Sequence, residues 1–300
     1  LEQIAGILDN GEVVCLFPEG MISHNGHLAD FRRGYERAIE MTETDVVILP
    51  FYLRGSQFSL SSENFKRLRS GGTRRDIIVA FGLPLPKDID VSTLKRRVFD
   101  LSISSWQSYA ETLPSIQHAW IDTVKKQGDT LSIADTVSQP LSTYKALTGA
   151  IALSKKMNRI SSEKNIGLLL STSAGGMLAN MAVLLSGKTV VNLNYTASLD
   201  AFTSSLEQAN IETVYTSKRF LTKLAQRGLD FESALSSCRV IYLEELKGSI
   251  PKWKILATLL TVKMLPAWCL KLLYSNSCDK QATAAILFPS GSEGAPKGIR

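Results

Sequence analysis

The sequence predicts an α/β protein whose second half carries a mainly parallel sheet. Three observations support this. Between residues 130 and 243 short apolar runs alternate repeatedly with helical stretches, the pattern of strands joined by covering helices. In the first half, apolar runs at 13–17, 46–51 and 77–81 are also separated by helical segments. The 300 residues are 44% hydrophobic, enough to pack cores and too apolar for a disordered chain.

Taken in order, Leu1–Asn10 reads as an amphipathic helix that stops at Gly11. Val13–Phe17 reads as a short strand and Pro18–Asp30 as a polar loop. Gly34–Met41 resumes helix. Val46–Phe51 is expected as a buried strand closing at Pro50, and Ile77–Phe81 as a third strand. Residues 92–111 form a helix, and Pro114 marks a domain boundary near 112–116. The domains are therefore read as 1–113 and 114–300. The second opens with a helix over 116–127, a strand over Thr130–Ala134 and a helix over Ser142–Met157. Strands follow at 166–170, 189–193, 213–216 and 239–243, with helices at 177–186, 199–209 and 218–227 between them.

Two stretches invite a membrane reading. Residues 165–187 contain no charged residue and are long enough to cross a bilayer. Their serines, glycines and Asn180 favour instead a buried strand, a turn and a helix. Residues 250–274 hold four lysines, two tryptophans and no acid. That mixture suits a membrane interface, although apolar residues surround the whole helical wheel and Pro266 interrupts it. A partly buried helical insertion is therefore the preferred reading, with membrane contact as the alternative.

Charge is uneven. Residues 1–115 hold 13 Lys+Arg against 15 Asp+Glu, whereas residues 116–300 hold 21 against 13. The basic second half suits anionic partners such as nucleotides, acidic carrier proteins or anionic lipid, and is also common in ordinary soluble enzymes. No nucleic-acid partner is expected. Cys15, Cys238, Cys269 and Cys278 have neither metal-ligand spacing nor a dense disulfide pattern, which fits reduced thiols. Three histidines are too few and too scattered for zinc, so no metal ligand is assigned to the protein.

Phe17-Pro18-Glu19-Gly20 follows directly on an expected strand, where one acid and a glycine make either a site or an ordinary turn. With Ser23, Gly26, Phe31, Arg33, Gly34 and the later Val46–Pro50 run, the pattern resembles the glycerolipid acyltransferase family over about 90 residues. The resemblance implies acyl transfer to a glycerolipid hydroxyl, with Phe17, Pro18, Glu19, Gly20 and Ser23 meeting the acceptor. In that family a His-x-x-x-x-Asp motif upstream supplies the general base. His24 and His27 lack that spacing to Asp30 and are read as loop residues. No catalytic residue is therefore assigned, and the dyad is expected before Leu1. The family commonly has Glu-Gly-Thr-Arg-Ser, whose arginine grips a phosphate. Here Met21 and Ile22 occupy the middle positions, which turns attention from glycerol 3-phosphate to a lysophospholipid. The basic run from Lys66 to Arg75 suits a phosphate or membrane surface, or else a solvated loop.

Residues 284–298 carry the strongest signal. An apolar strand enters Ser290-Gly291-Ser292-Glu293-Gly294, then Pro296-Lys297-Gly298. Such a loop offers backbone N–H groups, hydroxyls and a cation to phosphate. It resembles the phosphate loop of adenylate-forming, acyl-activating enzymes. Ile133-Ala-Asp135, Leu141–Tyr144, Asn165–Leu170 and Leu185–Asn194 continue that resemblance, mostly at fold-forming positions. It implies that Ser290, Gly291, Ser292, Glu293, Gly294, Lys297 and Gly298 bind ATP with Mg2+, the Glu293 carboxylate being screened from the triphosphate by magnesium or solvent.

Together the chain resembles the C-terminal part of a glycerolipid acyltransferase followed by the N-terminal part of an acyl-activating domain. That order is similar to a bacterial bifunctional family that loads fatty acid onto acyl carrier protein and acylates 2-acylglycerophosphoethanolamine. The resemblance implies ATP as cofactor, and acyl carrier protein, fatty acid, lysophospholipid and a membrane surface as partners. It also implies work at the cytoplasmic face of the inner membrane. The rival readings are an acyl-CoA ligase fused to a 1-acylglycerol-3-phosphate-type acyltransferase, and a non-catalytic membrane-associated module. These 300 residues alone are expected to be inactive in both reactions.

Overall fold

The computed structural model describes residues 1–21, 27–55, 77–136, 138–276, 279–289 and 297–299. The chain divides into two compact units, Leu1–Leu113 and Pro114–Arg300.

In the first unit, helix Glu2–Asp9 ends before Gly11, whose φ of 77° is the left-handed turn that glycine permits. Helix Gly34–Glu40 and the long helix Val91–Thr112 pack through Tyr35, Leu94 and Val98. Asp90 starts the long helix by accepting hydrogen bonds from the Ser92 and Thr93 amides. Burial, then the charges of Glu36 and Asp90, push the Tyr35 phenol up to about 12, and its hydroxyl donates to the Ile89 carbonyl.

The described strands of this unit are antiparallel: β1 (Phe51–Arg54) pairs with β2 (Ile78–Phe81), Phe51 opposite Phe81. Two expectations are corrected here. Val13–Phe17 forms no strand: none of its backbone groups joins a ladder among the described residues, and Val13, Leu16 and Phe17 are exposed rather than buried. The expected strand at Val46–Phe51 is displaced. Pro50 has no N–H, so only a single bridge, Ile48 to Leu85, forms before it, and the regular ladder begins at Phe51. Opposite the break lies Gly82, where a Cβ would meet Pro50 Cγ at 2.9 Å.

The second unit is a doubly wound layer structure. Helix Ile116–Gln127 leads to a two-stranded antiparallel ribbon, β3 (Leu131–Ile133) with β4 (Leu141–Ser142), and then to helix Thr143–Ile160. The main sheet holds β5 (Asn165–Leu169), β6 (Thr189–Asn192), β7 (Thr213–Thr216), β8 (Arg239–Tyr242) and β9 (Ala285–Leu287). Its order is β8-β7-β5-β6-β9, all parallel.

Alternate residues of these strands feed opposite cores, as strand pleating requires. Leu169, Val191 and Val214 meet Phe202 and Leu206 of helix Leu199–Gln208 on one face. Ile166, Leu168, Val190 and Tyr215 meet Ala179, Ala182 and Val183 of helix Ala174–Leu185 on the other. A further helical layer joins Ile121 and Val124 with Leu147, Ile151, Met181, Val262 and Leu270.

Residues 165–187 are thus strand, turn and helix. No helix among the described residues is long and apolar enough to cross a membrane. Residues 250–274 form two helices, Lys252–Met264 and Ala267–Tyr274, divided at Pro266. Helix Leu243–Gly248 was not expected; it starts straight out of β8 with no linker, its first turn marked by Glu244 and Glu245.

Candidate functional site

Parallel strands place all their carboxyl ends on one edge of the sheet. Here β5 is followed by a crossover to β6 on one side, and β7 by a crossover to β8 on the other. The carboxyl ends of β5 and β7 therefore flank the point where the winding reverses, the place where open α/β sheets bind ligands.

At that edge, Ser173 caps helix Ala174–Leu185 by accepting from the Gly176 amide at 3.3 Å. Asp135 accepts from the Ala174 amide at 2.7 Å with one carboxylate oxygen, and from the Ser138 amide and hydroxyl with the other. A carboxylate at a helix N-terminus is favoured both by the orphan N–H groups and by the helix dipole. Gly176 allows the close turn: a Cβ there would sit 2.6 Å from the Ser171 carbonyl oxygen. Asn180 and Asn192 exchange amide hydrogen bonds at 3.2 and 2.9 Å, tying this helix to the end of β6. Asn192 lies opposite Leu287 of β9.

Beyond β9 the chain leaves the sheet and returns. Leu287 and Ile299 exchange both backbone hydrogen bonds at 2.9 Å, so residues 288–298 form an excursion with pinned ends. Gly298 packs against β9, where a Cβ would meet Phe288 Cε1 at 3.2 Å. Lys297 is exposed beside it, at the same carboxyl edge. Ser290, Gly291, Ser292, Glu293 and Gly294 lie outside the described residues. The amides of Ala174, Gly176 and Met177 are thus already satisfied by Asp135 and Ser173, and the exposed Lys297 is the described group here that suits a phosphate ester.

In the first unit the Phe17–Gly20 turn is closed by the Gly20 amide donating to the Phe17 carbonyl at 3.0 Å, with Gly20 at φ 67°. Glu19 accepts from the Ala29 amide at 2.7 Å, and the Arg32 amide donates to the Pro18 carbonyl at 2.8 Å. The Glu19 carboxylate therefore clasps the two ends of the loop that contains the expected acceptor residue Ser23. Ser23, His24 and Gly26, like the basic run from Lys66 to Arg75, lie outside the described residues. Asp30 accepts from Lys95; this hydrogen bond, then the ammonium charge, pulls its carboxyl below the usual range.

Sequence reading passed over Arg32. Its guanidinium lies against Gly20, 2.9 Å from where a Cβ would be, so an arginine reaches the turn even though the Glu-Gly-Thr-Arg-Ser form is absent. Its place between Phe31 and Arg33, already in the quoted pattern, was the available signal.

Phe17 stacks edge-on against Phe51 at 5.5 Å, and Phe51 lies 6.2 Å from Phe81. These rings border an apolar cleft of about 2100 Å³ within the first unit, also lined by Leu94, Phe99 and Trp106. That exceeds the roughly 300–1,000 Å³ of an ordinary small-molecule pocket.

The family model described as AMP-binding enzyme matches residues 142–300, more than half of the chain, and the protein belongs to that family. The model described as acyltransferase matches residues 1–54. Solved structures similar to the chain include o-succinylbenzoate coenzyme A synthetase (MenE) from Bacillus subtilis in complex with AMP. It is 19% identical, with a TM-score of 0.41, covering 60% of this chain and 41% of that one. The anthranilate CoA ligase AuaEII in complex with anthranoyl-AMP is 14% identical, with a TM-score of 0.46, covering 63% of this chain and 34% of that one. The chain spans less than half the length of either structure.

Proposed function

We propose that the protein activates a fatty acid with ATP, passes the acyl group to acyl carrier protein, and transfers it to the free hydroxyl of a lysophospholipid such as 2-acylglycerophosphoethanolamine. The observation that carries this reading is the order of matches on one chain, acyltransferase over 1–54 and AMP-binding enzyme over 142–300. Two acyl-handling units on one chain raise the effective concentration of the shared acyl carrier for the second step.

In the second unit, Lys297 and the Gly298 backbone hold the phosphates of ATP with Ser290, Gly291, Ser292, Glu293 and Gly294 completing the loop. ATP with Mg2+ supplies the leaving pyrophosphate that makes the carboxylate reactive. The chain's own part is to bind and orient: Lys297 brings positive charge to phosphate, and the Ser173–Gly176 turn, fixed by Asp135, holds the helix in place at the switch point.

In the first unit, Phe17, Pro18, Glu19, Gly20 and Ser23 form the acceptor side. Arg32 at the Gly20 turn supplies charge for an acceptor phosphate, whether of a lysophospholipid or of glycerol 3-phosphate, and the apolar, aromatic border of the cleft favours the acceptor that carries an acyl chain. The reaction belongs to phospholipid repair at the cytoplasmic face of the bacterial inner membrane.

The test uses the full protein that contains this chain, incubated with radiolabelled fatty acid, ATP, Mg2+ and either acyl carrier protein or coenzyme A, followed by lysophosphatidylethanolamine. Label appearing on carrier protein and then on phospholipid is the expected result. Label on coenzyme A alone contradicts the carrier-protein step, and absence of label contradicts the whole reading.

A further inference from the structure

Helices Lys252–Met264 and Ala267–Tyr274 have two apolar faces, which explains why their sequence shows no clear amphipathic period. The inner face is packed: Val262 and Leu270 are fully buried against Ile121, Leu147 and Ile151. Two polar clamps hold it against helix Ile116–Gln127, and a third contact, Thr261 with Tyr274, ties the two helices to each other. Lys125 donates to the carbonyls of Val262 and Lys263 at 2.9 and 3.1 Å. Lys271 pairs with Asp122 at 2.6 Å, and the Thr261 and Tyr274 hydroxyls lie 2.8 Å apart.

The outer face has no such cover. Trp253, Leu256, Leu260 and Met264 recur at helical spacing along one side, with Trp253 67% and Met264 80% exposed. At roughly 100° per residue they fall within an arc of about 80°. On the same projection Lys252 and Lys263 border one side of that arc and Lys254 the other. In the next helix Trp268 and Leu272, one turn apart, are 68% and 78% exposed. No acidic residue occurs between Ile250 and Tyr274.

We infer that this helical hairpin is a membrane-surface anchor, laying its outer apolar stripe into the headgroup region of an anionic lipid bilayer. The chemistry favours lipid over a protein partner. An apolar stripe bordered by lysines, with indoles on both helices, matches the interface between acyl chains and anionic headgroups. With 13 and 8 residues, the helices are too short to span the bilayer, so they lie on it. The clamps to helix Ile116–Gln127 keep the stripe outward, so binding needs no refolding. This inference stands apart from the acyl-carrier reading, because vesicle binding requires no turnover.

The experiment uses the full protein and vesicles of phosphatidylethanolamine with phosphatidylglycerol, compared with pure phosphatidylcholine. Flotation with the anionic vesicles, weakening as salt rises, is expected. Tryptophan fluorescence should be quenched by lipids brominated on the acyl chain, and Trp253→Phe/Trp268→Phe should abolish that quenching while Trp106 and Trp120 remain. Lys252→Gln/Lys254→Gln/Lys263→Gln should weaken binding by about fivefold per lysine. Leu256→Gln/Leu260→Gln, at exposed positions, should release the protein from vesicles while leaving its circular dichroism and its activity on soluble substrates unchanged. Flotation unaltered by these variants would overturn the inference. So would protection of the stripe from solvent labelling in the lipid-free protein, or a dimer in light scattering that Leu256→Gln/Leu260→Gln dissolves.

Discussion

Lys297 stands where the 288–298 excursion rejoins the sheet, one residue before Gly298 packs on β9. Its ammonium is exposed, so its charge is available to a ligand at the carboxyl edge. Replacing a charged partner of a phosphate removes about 1.5–3 kcal/mol, so Lys297→Ala should lower kcat/KM for ATP roughly 10- to 100-fold, measured by steady-state kinetics. Gly176 makes a different demand. A Cβ 2.6 Å from the Ser171 backbone oxygen cannot be accommodated by a rotamer change, so Gly176→Ala should destabilise the second unit by about 1–3 kcal/mol in denaturant unfolding.

His118 gives a pH signature. Burial, then the positive charge of Lys271, holds its imidazole below the ordinary value of 6.5, with Asp122 opposing. The folded state therefore prefers the neutral ring, and the unfolded chain takes up the proton first as pH falls. The stability this contributes is complete above about pH 6.5 and is lost on acidification toward the folded-state pKa. Melting temperature followed from about pH 7.5 to pH 5 should fall less steeply in His118→Gln than in the parent.

At the scale of elements, Asp135 shows what sequence could and could not disclose. It stands in a recognisable Ile-Ala-Asp pattern, yet its work is done 39 residues away, at the N-terminus of helix Ala174–Leu185. Asp135→Ala should cost about 0.5–2 kcal/mol in unfolding measurements and leave the strands of the sheet intact. The Asn180–Asn192 pair was hidden for the same reason, since only the β5-helix-β6 crossover brings the two amides together.

The strands of the main sheet were most legible where the run is apolar on both faces, as at Ile166, Leu168 and Leu169; β7, Thr-Val-Tyr-Thr, is fully buried although its threonines do not announce it. The run at Val13–Phe17 is wholly apolar, yet it failed as a strand for want of a ladder partner among the described residues. At Val46–Phe51 the apolar run was visible, but Pro50 decided where pairing began. Local composition thus announced burial in the main sheet and misjudged it in the first unit, where Val13, Phe17, Val47 and Leu49 are exposed.

For the molecule as a whole, family membership rests on the second unit, and the proposed coupling of acyl activation to acyl transfer rests on the two matches sharing one chain. The resemblance carried by Ser290–Gly298 pointed to this family, whereas the arginine at the Gly20 turn emerged only from the folded geometry. The measurement that tests the central claim most directly is fatty-acid-dependent exchange of labelled pyrophosphate into ATP by the full protein, which reports reversible formation of an acyl-adenylate. The account predicts exchange that requires a fatty acid and Mg2+ and is depressed in Lys297→Ala. Exchange that no fatty acid supports, or that an amino acid or aromatic acid drives instead, would contradict it.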